Sequence, residues 1–128
     1  MIRVVQLGSP RLPDEGLRIG TVRRPPRGVP RSEYARRDYY DVWLPDLAPS
    51  ADLVSGLKAH EITPAAWTRF ARRYRAELRQ PAARRLLDLL AALSQTTNFS
   101  VGCYCADESL CHRSLLRELL VEAGAAVR

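Results

Sequence analysis

The chain has 128 residues, of which 46% are hydrophobic and 27% are charged, so its size and composition are those of one globular domain rather than of a disordered protein. No apolar run approaches the roughly 18–20 residues of a membrane-spanning helix, and the N-terminus lacks the apolar stretch of a signal peptide. We therefore expect a single domain over residues 1–128, located in the cytoplasm and without a membrane partner.

Positive charge is concentrated in two segments of the chain. The net charge is +6, and residues 18–37 and 69–85 each contain seven arginines and one glutamate. Such clusters attract partners that carry phosphate groups. The few aromatic residues, however, do not alternate with the arginines as a base-stacking surface requires. A small anionic ligand is therefore the favoured partner, and nucleic acid is the alternative.

The N-terminal part of the chain predicts three short strands. Residues 2–7 are apolar and β-branched, residues 17–23 alternate apolar and polar side chains, and residues 39–44 are largely apolar up to Pro45. Residues 25–30 contain three prolines, which cannot donate the hydrogen bonds of a central strand. We therefore expect a loop rich in arginine and proline after the second strand.

The middle of the chain predicts three helices. Ser50 is a candidate cap for a helix over residues 51–58, and Thr63 followed by Pro64 marks the start of the next helix. Pro81 marks the start of the third. Two apolar stripes at helical spacing predict the buried faces of the second and third helices: Trp67, Phe70, Ala71, Tyr74 and Leu78, and then Leu86, Leu89, Leu90 and Leu93.

The C-terminal part predicts a strand at residues 98–103, a polar turn, and a helix from about residue 110 to residue 123 capped by Ser109. The buried face of that helix is expected to consist of Leu115, Leu116, Leu119, Leu120 and Ala123. The last residues resemble the start of a further, incomplete strand. Strands separated by helices predict an α/β fold, a Rossmann-like three-layer arrangement with a mainly parallel sheet and flanking helices.

Ligands of parallel sheets bind beyond the carboxyl ends of the strands, which is where the cysteines of this chain are expected. Cys103, Cys105 and Cys111 lie within nine positions, and His112 and Arg113 follow directly. An odd number of cysteines so closely spaced is a poor disulfide framework. Cys103 and Cys105 are two residues apart and would share one face of a strand. The other three residues fall in the first turn of a helix, where backbone amides favour a thiolate or a bound anion.

Four interpretations of this cysteine loop stay open. In the first, which we favour, Cys103 or Cys111 is a reactive thiol, His112 tunes its protonation, and no cofactor is needed. In the second, Cys103, Cys105, Cys111 and His112 bind zinc or iron, although the adjacent Cys111 and His112 are hard to aim at one ion. In the third, Arg113 and helix amides hold a phosphate. In the fourth, the cysteines are small buried hydrophobic residues.

The pattern of a cysteine at a strand end, a short acidic turn and Cys-His-Arg opening a helix resembles the YeaO-like domain-of-unknown-function-488 (DUF488) family. Residues 21–29, with the loop Arg-Pro-Pro-Arg-Gly, residues 43–50, ending in Ala-Pro-Ser, and the aromatic segment 60–78 are similar as well, so the resemblance covers about residues 17–125. Many relatives have Glu in place of Cys105. The family has no established activity, so the resemblance implies a fold and a site rather than a reaction.

The positions carried over by this resemblance are Cys103, Cys111, His112, Arg113, Arg23, Arg24 and Arg27. His60 also matches, and we interpret it as a packing or capping residue. We hypothesise a thiol-dependent enzyme acting on a small anionic or nucleotide-like substrate. Its catalytic residues would be Cys103, Cys111 and His112, and Arg23, Arg24, Arg27 and Arg113 would hold the substrate's negative charge. The alternatives are a basic protein associated with nucleic acid and a metal-binding or redox-sensing protein.

Overall fold

The computed structural model describes residues 1–58 and 61–128. His60, one of the positions that match the family, lies outside the described residues. Within these two ranges the chain forms one parallel sheet of four strands together with four α-helices. The α/β fold with a parallel sheet is therefore confirmed.

The sheet has the strand order β1-β4-β2-β3, so β4 lies in its middle. All neighbouring strands are parallel, and every residue of β4 is buried. The strand bounds are Ile2–Gln6 for β1, Leu17–Gly20 for β2, Val42–Trp43 for β3 and Phe99–Cys103 for β4. The carboxyl end of β4 is therefore flanked by the ends of β1 and β2.

All four strands are shorter than their sequence pattern predicts. β1 and β4 each lack one expected residue, and β2 ends at Gly20 instead of residue 23. The third strand has two residues instead of the expected span 39–44. Tyr39 and Tyr40 leave the strand because their rings pack into a second, smaller apolar cluster at the carboxyl end of the sheet. A Cβ at Gly20 would overlap the Tyr40 ring, so the last residue of β2 leaves the space that this ring occupies.

The C-terminus adds a short parallel contact to the edge of the sheet. The amide of Ile2 donates to the carbonyl oxygen of Ala126, and the amide of Arg128 donates to that of Ile2, both at 2.8 Å. Val127 forms a single bridge with Ile2. The expected further strand is thus present as one bridge next to β1.

The first three helices begin where a capping hydroxyl or a proline predicts. The Ser50 hydroxyl accepts a hydrogen bond from the Leu53 amide, and the Thr63 hydroxyl accepts one from the Ala66 amide. None of the helices in residues 1–58 and 61–128 is long and apolar enough to cross a bilayer. The helix bounds are Ala51–Lys58 for α1, Pro64–Leu78 for α2, Pro81–Leu93 for α3 and His112–Glu122 for α4.

The four helices pack against one another and against one face of the sheet around a single large core. The expected faces of α2 and α4 are confirmed, but that of α3 is wrong in part. Leu90 is buried as expected, but Leu89 and Leu93 are exposed, and α3 instead buries Ala83, Leu87 and Ala91. Leucines occur around much of this helix, so its contacts with α2 and α4 decide which of them are buried.

Loops rather than helices cover the opposite face of the sheet. Arg18 of β2 is fully buried there and forms a bidentate ion pair with Glu15, at 2.9 and 3.0 Å. Its other terminal nitrogen donates to the carbonyl oxygens of Ser9 and Asp38, at 2.7 and 2.6 Å. One guanidinium therefore holds both covering loops against the sheet, next to the carboxyl ends of the strands.

Candidate thiol and imidazole site

The end of β4 and the start of α4 bring two cysteines together. Cys103 is the last residue of β4 and follows the alternation of Phe99 and Val101, whose side chains belong to the helix-side core. Cys111 occupies the N-cap position of α4. Both side chains are 2% exposed, and their sulfur atoms are in contact. The expected convergence of two thiols at the carboxyl end of the sheet is therefore present.

The backbone around these two cysteines is set wider than a disulfide requires. Their Cα atoms are 7.9 Å apart. The Cα atoms of a disulfide usually lie about 4.4–6.8 Å apart, and pairs beyond about 7 Å are not bridged without movement of the backbone. We therefore treat Cys103 and Cys111 as a pair of thiols.

His112, the first residue of α4, presents one ring nitrogen to this pair. Its Nδ1 lies 3.7 Å from the sulfur of Cys111, and its Nε2 lies 2.8 Å from the carbonyl oxygen of Thr21. A carbonyl oxygen only accepts hydrogen bonds, so Nε2 carries the proton and Nδ1 of the neutral ring has a free lone pair. Burial lowers the pKa of His112 to about 4, and the charge of Arg113 lowers it as well, against the effect of the Thr21 bond. The imidazole is therefore neutral at pH 7.

The sulfurs of Cys103 and Cys111 and a ring nitrogen of His112 all lie within 4.8 Å of one another. The expected difficulty of aiming the adjacent Cys111 and His112 at one point is absent. Cys111 has an extended backbone, with φ −125° and ψ 147°, whereas His112 is already helical. The change of backbone direction between these two residues turns both side chains to the same side.

The turn before α4 differs from its expected form. Ser109 was expected to cap α4, but it lies inside a 3-10 turn that is capped by Asp107. The Asp107 carboxylate accepts hydrogen bonds from both the amide and the hydroxyl of Ser109. Both bonds lower the pKa of Asp107, and the bond from the hydroxyl has the larger effect. A separate 3-10 turn, Glu108–Leu110, results, and α4 starts only at His112.

Cys105 does not join the other two cysteines. β4 ends at Cys103, so the alternation of a strand does not extend to Cys105, and the expectation of a shared face is wrong. Its side chain is exposed and its thiol is free. Among the residues that the structure describes, the cluster of sulfur and imidazole ligands therefore has three members rather than the four that the metal interpretation assumed.

Two of the four arginines expected to hold a substrate instead bind the protein's own carbonyl groups. Arg113 is 4% exposed and donates to the carbonyl oxygens of Cys105 and Ala106, at 2.8 and 3.3 Å. Arg23 donates to three carbonyl oxygens of residues 45–49. These two side chains hold the cysteine loop and the segment before α1 in place.

The other two arginines, Arg24 and Arg27, are exposed and line a cavity. Tyr39 and Tyr104 line the same cavity, whose volume is about 730 Å³. Tyr104 follows Cys103 directly in the chain, and Tyr39 packs against the apolar cluster that contains Cys103 and Cys111. The arginine-proline loop and the cysteine loop are therefore neighbours at the carboxyl end of the sheet, as expected for a parallel sheet.

A family model described as the active DUF488-N3 subclade, DUF488-N3a, matches residues 2–124. The chain belongs to the DUF488-N3a family. The resemblance to DUF488 proteins is thereby confirmed, and the match includes both loops of the candidate site. No match was found among curated proteins or among solved structures.

Two groups of this DUF488-N3a chain that contribute to the site were missed by the sequence reasoning. The carbonyl oxygen of Thr21 orients His112, and no side-chain pattern reveals the role of a backbone oxygen. Tyr40 packs with Cys103 and Cys111, and its hydroxyl is a buried polar group without a hydrogen-bond partner in residues 1–58 and 61–128. The sequence predicts Tyr40 in a strand, and it reaches the cluster only because the strand begins later, at Val42.

Proposed function

We propose that this DUF488-N3a protein is a zinc-dependent enzyme acting on a small anionic substrate, with Cys103, Cys111 and His112 as the protein ligands of the metal. The observation that carries the proposal is the convergence of two sulfurs and one ring nitrogen within 4.8 Å. Thiolates and imidazoles are the ligands that zinc prefers.

One of the distances between ligand atoms matches a tetrahedral ion. Zinc binds sulfur at about 2.3 Å and nitrogen at about 2.0–2.1 Å, so neighbouring sulfur and nitrogen ligands lie about 3.6 Å apart in a tetrahedron. The sulfur of Cys111 and Nδ1 of His112 are 3.7 Å apart. The two sulfurs would separate from contact when an ion enters between them, and the wide spacing of their Cα atoms is compatible with that.

The orientation of His112 also supports metal binding. Metal-binding histidines usually donate their second ring N–H to a carboxylate or a backbone carbonyl, which fixes the tautomer. The hydrogen bond from Nε2 to Thr21 has this form and leaves Nδ1 unprotonated on the side of Cys111. An edge-to-face contact with the Tyr74 ring, at 5.6 Å between centroids, restrains the imidazole further.

Three protein ligands are the pattern of catalytic zinc sites, in which water or substrate takes the fourth position. Bound zinc lowers the pKa of such a water and polarises substrate carbonyl or phosphoryl groups. Tyr40 packs in the same cluster as Cys103 and Cys111, and its buried hydroxyl has no hydrogen-bond partner within the described part of the chain. Cys105, exposed on the turn, is not among the proposed ligands.

A thiol-dependent enzyme is the second candidate, and one observation favours it specifically. The lone pair of the neutral His112 ring faces the sulfur of Cys111. In this alternative the imidazole accepts a hydrogen bond from the Cys111 thiol and orients it, and the N-terminus of α4 stabilises the thiolate that reacts.

Metal content and cobalt absorption of four variants distinguish the candidates. We expect near-stoichiometric zinc in protein purified under reducing conditions, and sulfur-to-cobalt charge-transfer bands with tetrahedral d–d bands after exchange. Cys103→Ser and Cys111→Ser should each lose the metal, and His112→Gln should weaken its binding. Cys105→Ser is the matched control and should retain both metal and spectrum.

Each contrary outcome has a definite meaning. Metal-free protein with three titratable thiols, of which Cys111 reacts fastest with iodoacetamide at neutral pH, would overturn the zinc proposal in favour of the thiol alternative. Loss of the tetrahedral spectrum in Cys105→Ser would show a closed site with four protein ligands and would overturn the open fourth position. Circular dichroism of every variant establishes that it is folded.

A further inference from the structure

A basic cavity lined by tyrosines lies beside the proposed metal ligands. Its lining includes Arg24 and Arg27 from the loop after β2, together with Tyr39 and Tyr104. Its volume of about 730 Å³ falls within the range of about 300–1,000 Å³ that is usual for small-molecule sites. The cavity is therefore large enough for a ligand that has both a ring and a charged group.

The walls of the cavity are held by hydrogen bonds. The hydroxyl of Tyr104 donates to the carbonyl oxygen of Arg24 at 2.8 Å and so ties the cysteine loop to the arginine-proline loop. The side-chain amide of Gln6, at the end of β1, donates to the carbonyl oxygen of Tyr104 at 3.1 Å. The rings of Tyr39 and Tyr104 meet edge to face, with centroids 6.3 Å apart. Two aromatic surfaces are thus preformed next to the arginines.

The positive charge of the cavity is not neutralised by the protein. Within residues 1–58 and 61–128 neither Arg24 nor Arg27 forms an ion pair, and no acidic residue is among those that line the cavity. Other arginines nearby differ in this respect, because Arg36 and Arg37 both pair with Glu33. Two unpaired guanidinium groups at one cavity are suited to a phosphate, which they bind through charge-assisted hydrogen bonds.

We propose that this cavity binds a mononucleotide, with the phosphate on Arg24 and Arg27 and the base against Tyr39 and Tyr104. Aromatic side chains stack on any base, and arginine supplies the charge for the phosphate. A single nucleotide, rather than a strand of nucleic acid, matches a cavity whose aromatic groups are two adjacent rings. The inference names the substrate class of the proposed enzyme, and it rests on the proposed function only for the reaction, not for binding.

The cavity and the proposed metal ligands share neighbouring residues, although Cys103, Cys111 and His112 are not among those that line the cavity. Tyr104 is the residue after Cys103, and Tyr39 packs against the cluster that contains Cys103 and Cys111. A nucleotide held by its base and phosphate would therefore lie against the cysteine loop, which also carries the proposed metal ligands.

Calorimetric titration of the full chain tests the proposal. The probes are the four common ribonucleoside monophosphates, adenosine and inorganic phosphate. We expect at least one monophosphate to bind more tightly than adenosine or phosphate, because only it engages both halves of the cavity. The double variant Arg24→Gln/Arg27→Gln should raise its Kd by about tenfold or more for each charged hydrogen bond lost.

The matched control removes the same charge elsewhere. Arg72→Gln/Arg73→Gln alters two exposed arginines of α2, and neither forms an ion pair within the described part of the chain. It should leave the Kd unchanged. If both double variants raised the Kd equally, the effect would come from net charge alone and the proposal would be overturned. Equal affinity for phosphate and for every nucleotide would show that the base makes no contact and would also overturn it. Absence of nucleotide binding would refute the proposal outright.

The zinc assay separates this inference from the proposed function. Arg24→Gln/Arg27→Gln should lose nucleotide binding and keep its metal, whereas Cys111→Ser should lose metal and keep nucleotide binding. If the unaltered protein contained no metal and still bound a nucleotide, the result would support the cavity and overturn the zinc enzyme. Metal binding without nucleotide binding would support the zinc site and refute the nucleotide cavity.

Discussion

Arg18→Met probes the buried ion pair that holds the loops over the face of the sheet opposite the helices. The substitution keeps a long side chain but leaves Glu15, which is 1% exposed, without its bidentate partner. It also removes the donor to the carbonyl oxygens of Ser9 and Asp38. Breaking one partner of a buried ion pair costs about 3–5 kcal/mol, and a buried acceptor left without a donor costs about 1–3 kcal/mol.

We therefore expect Arg18→Met to lower the free energy of unfolding by at least about 4 kcal/mol, a large part of the roughly 5–15 kcal/mol of an ordinary domain. Urea denaturation followed by circular dichroism measures this change. The control is Arg3→Met, which removes an ion pair whose acid, Asp14, is 61% exposed and which should change stability by less than about 1 kcal/mol.

The double variant Arg18→Met/Glu15→Leu gives a second measurement of the same interaction. Replacing both charges by apolar side chains removes the unpaired carboxylate, so it should recover part of the stability lost in Arg18→Met. A single variant whose stability lies within about 1 kcal/mol of the unaltered protein would refute the reasoning, because the carboxylate would then have to be solvated or paired elsewhere. No recovery in the double variant would show that the two carbonyl groups, not the charge, dominate.

Three smaller changes test the packing around the site by thermal unfolding. Gly102→Ala should destabilise by about 1–3 kcal/mol, because its Cβ would lie 2.6 Å from the carbonyl oxygen of Val5; an unchanged midpoint would mean that β1 moves freely. Tyr74→Phe should cost about 1 kcal/mol or more, because it removes the buried hydrogen bond to the carbonyl of Leu47, and a stabilised variant would contradict this. Thr63→Ala should cost about 1 kcal/mol through loss of the α2 cap, whereas Thr63→Ser should restore most of it.

Much of the fold follows from local signals in the sequence. The starts of α1, α2 and α3 are marked by a capping hydroxyl or a proline, and these signals act within a few residues. The alternation of short apolar strands with helices likewise predicted the parallel sheet, because the order of the elements can be read along the chain. Boundaries failed where a distant contact decided them, as when Tyr40 left its strand to pack on Gly20.

The site was predicted in outline but not in its membership. A parallel sheet places the ends of its strands at one edge, so the convergence of the cysteine loop and the arginine-proline loop could be expected from the order of the elements. Which side chains face the site depends on single residues. Arg113 and Cys105 belong to the same short loop, yet one is buried against carbonyl groups and the other is exposed.

By itself, the sequence determined the family, the α/β order of the elements and the region in which the chemistry lies, because motifs, caps and periodicity are properties of neighbouring residues. Only the tertiary structure decided that Cys103, Cys111 and His112 converge while Cys105 stays apart, and that Arg24 and Arg27 line one cavity. The physical reason is that a ligand set is defined by distances of a few ångströms between residues far apart in the chain. Those distances depend on where β4 ends and how α4 begins, and on the carbonyl oxygen of Thr21, which belongs to a neighbouring strand's end.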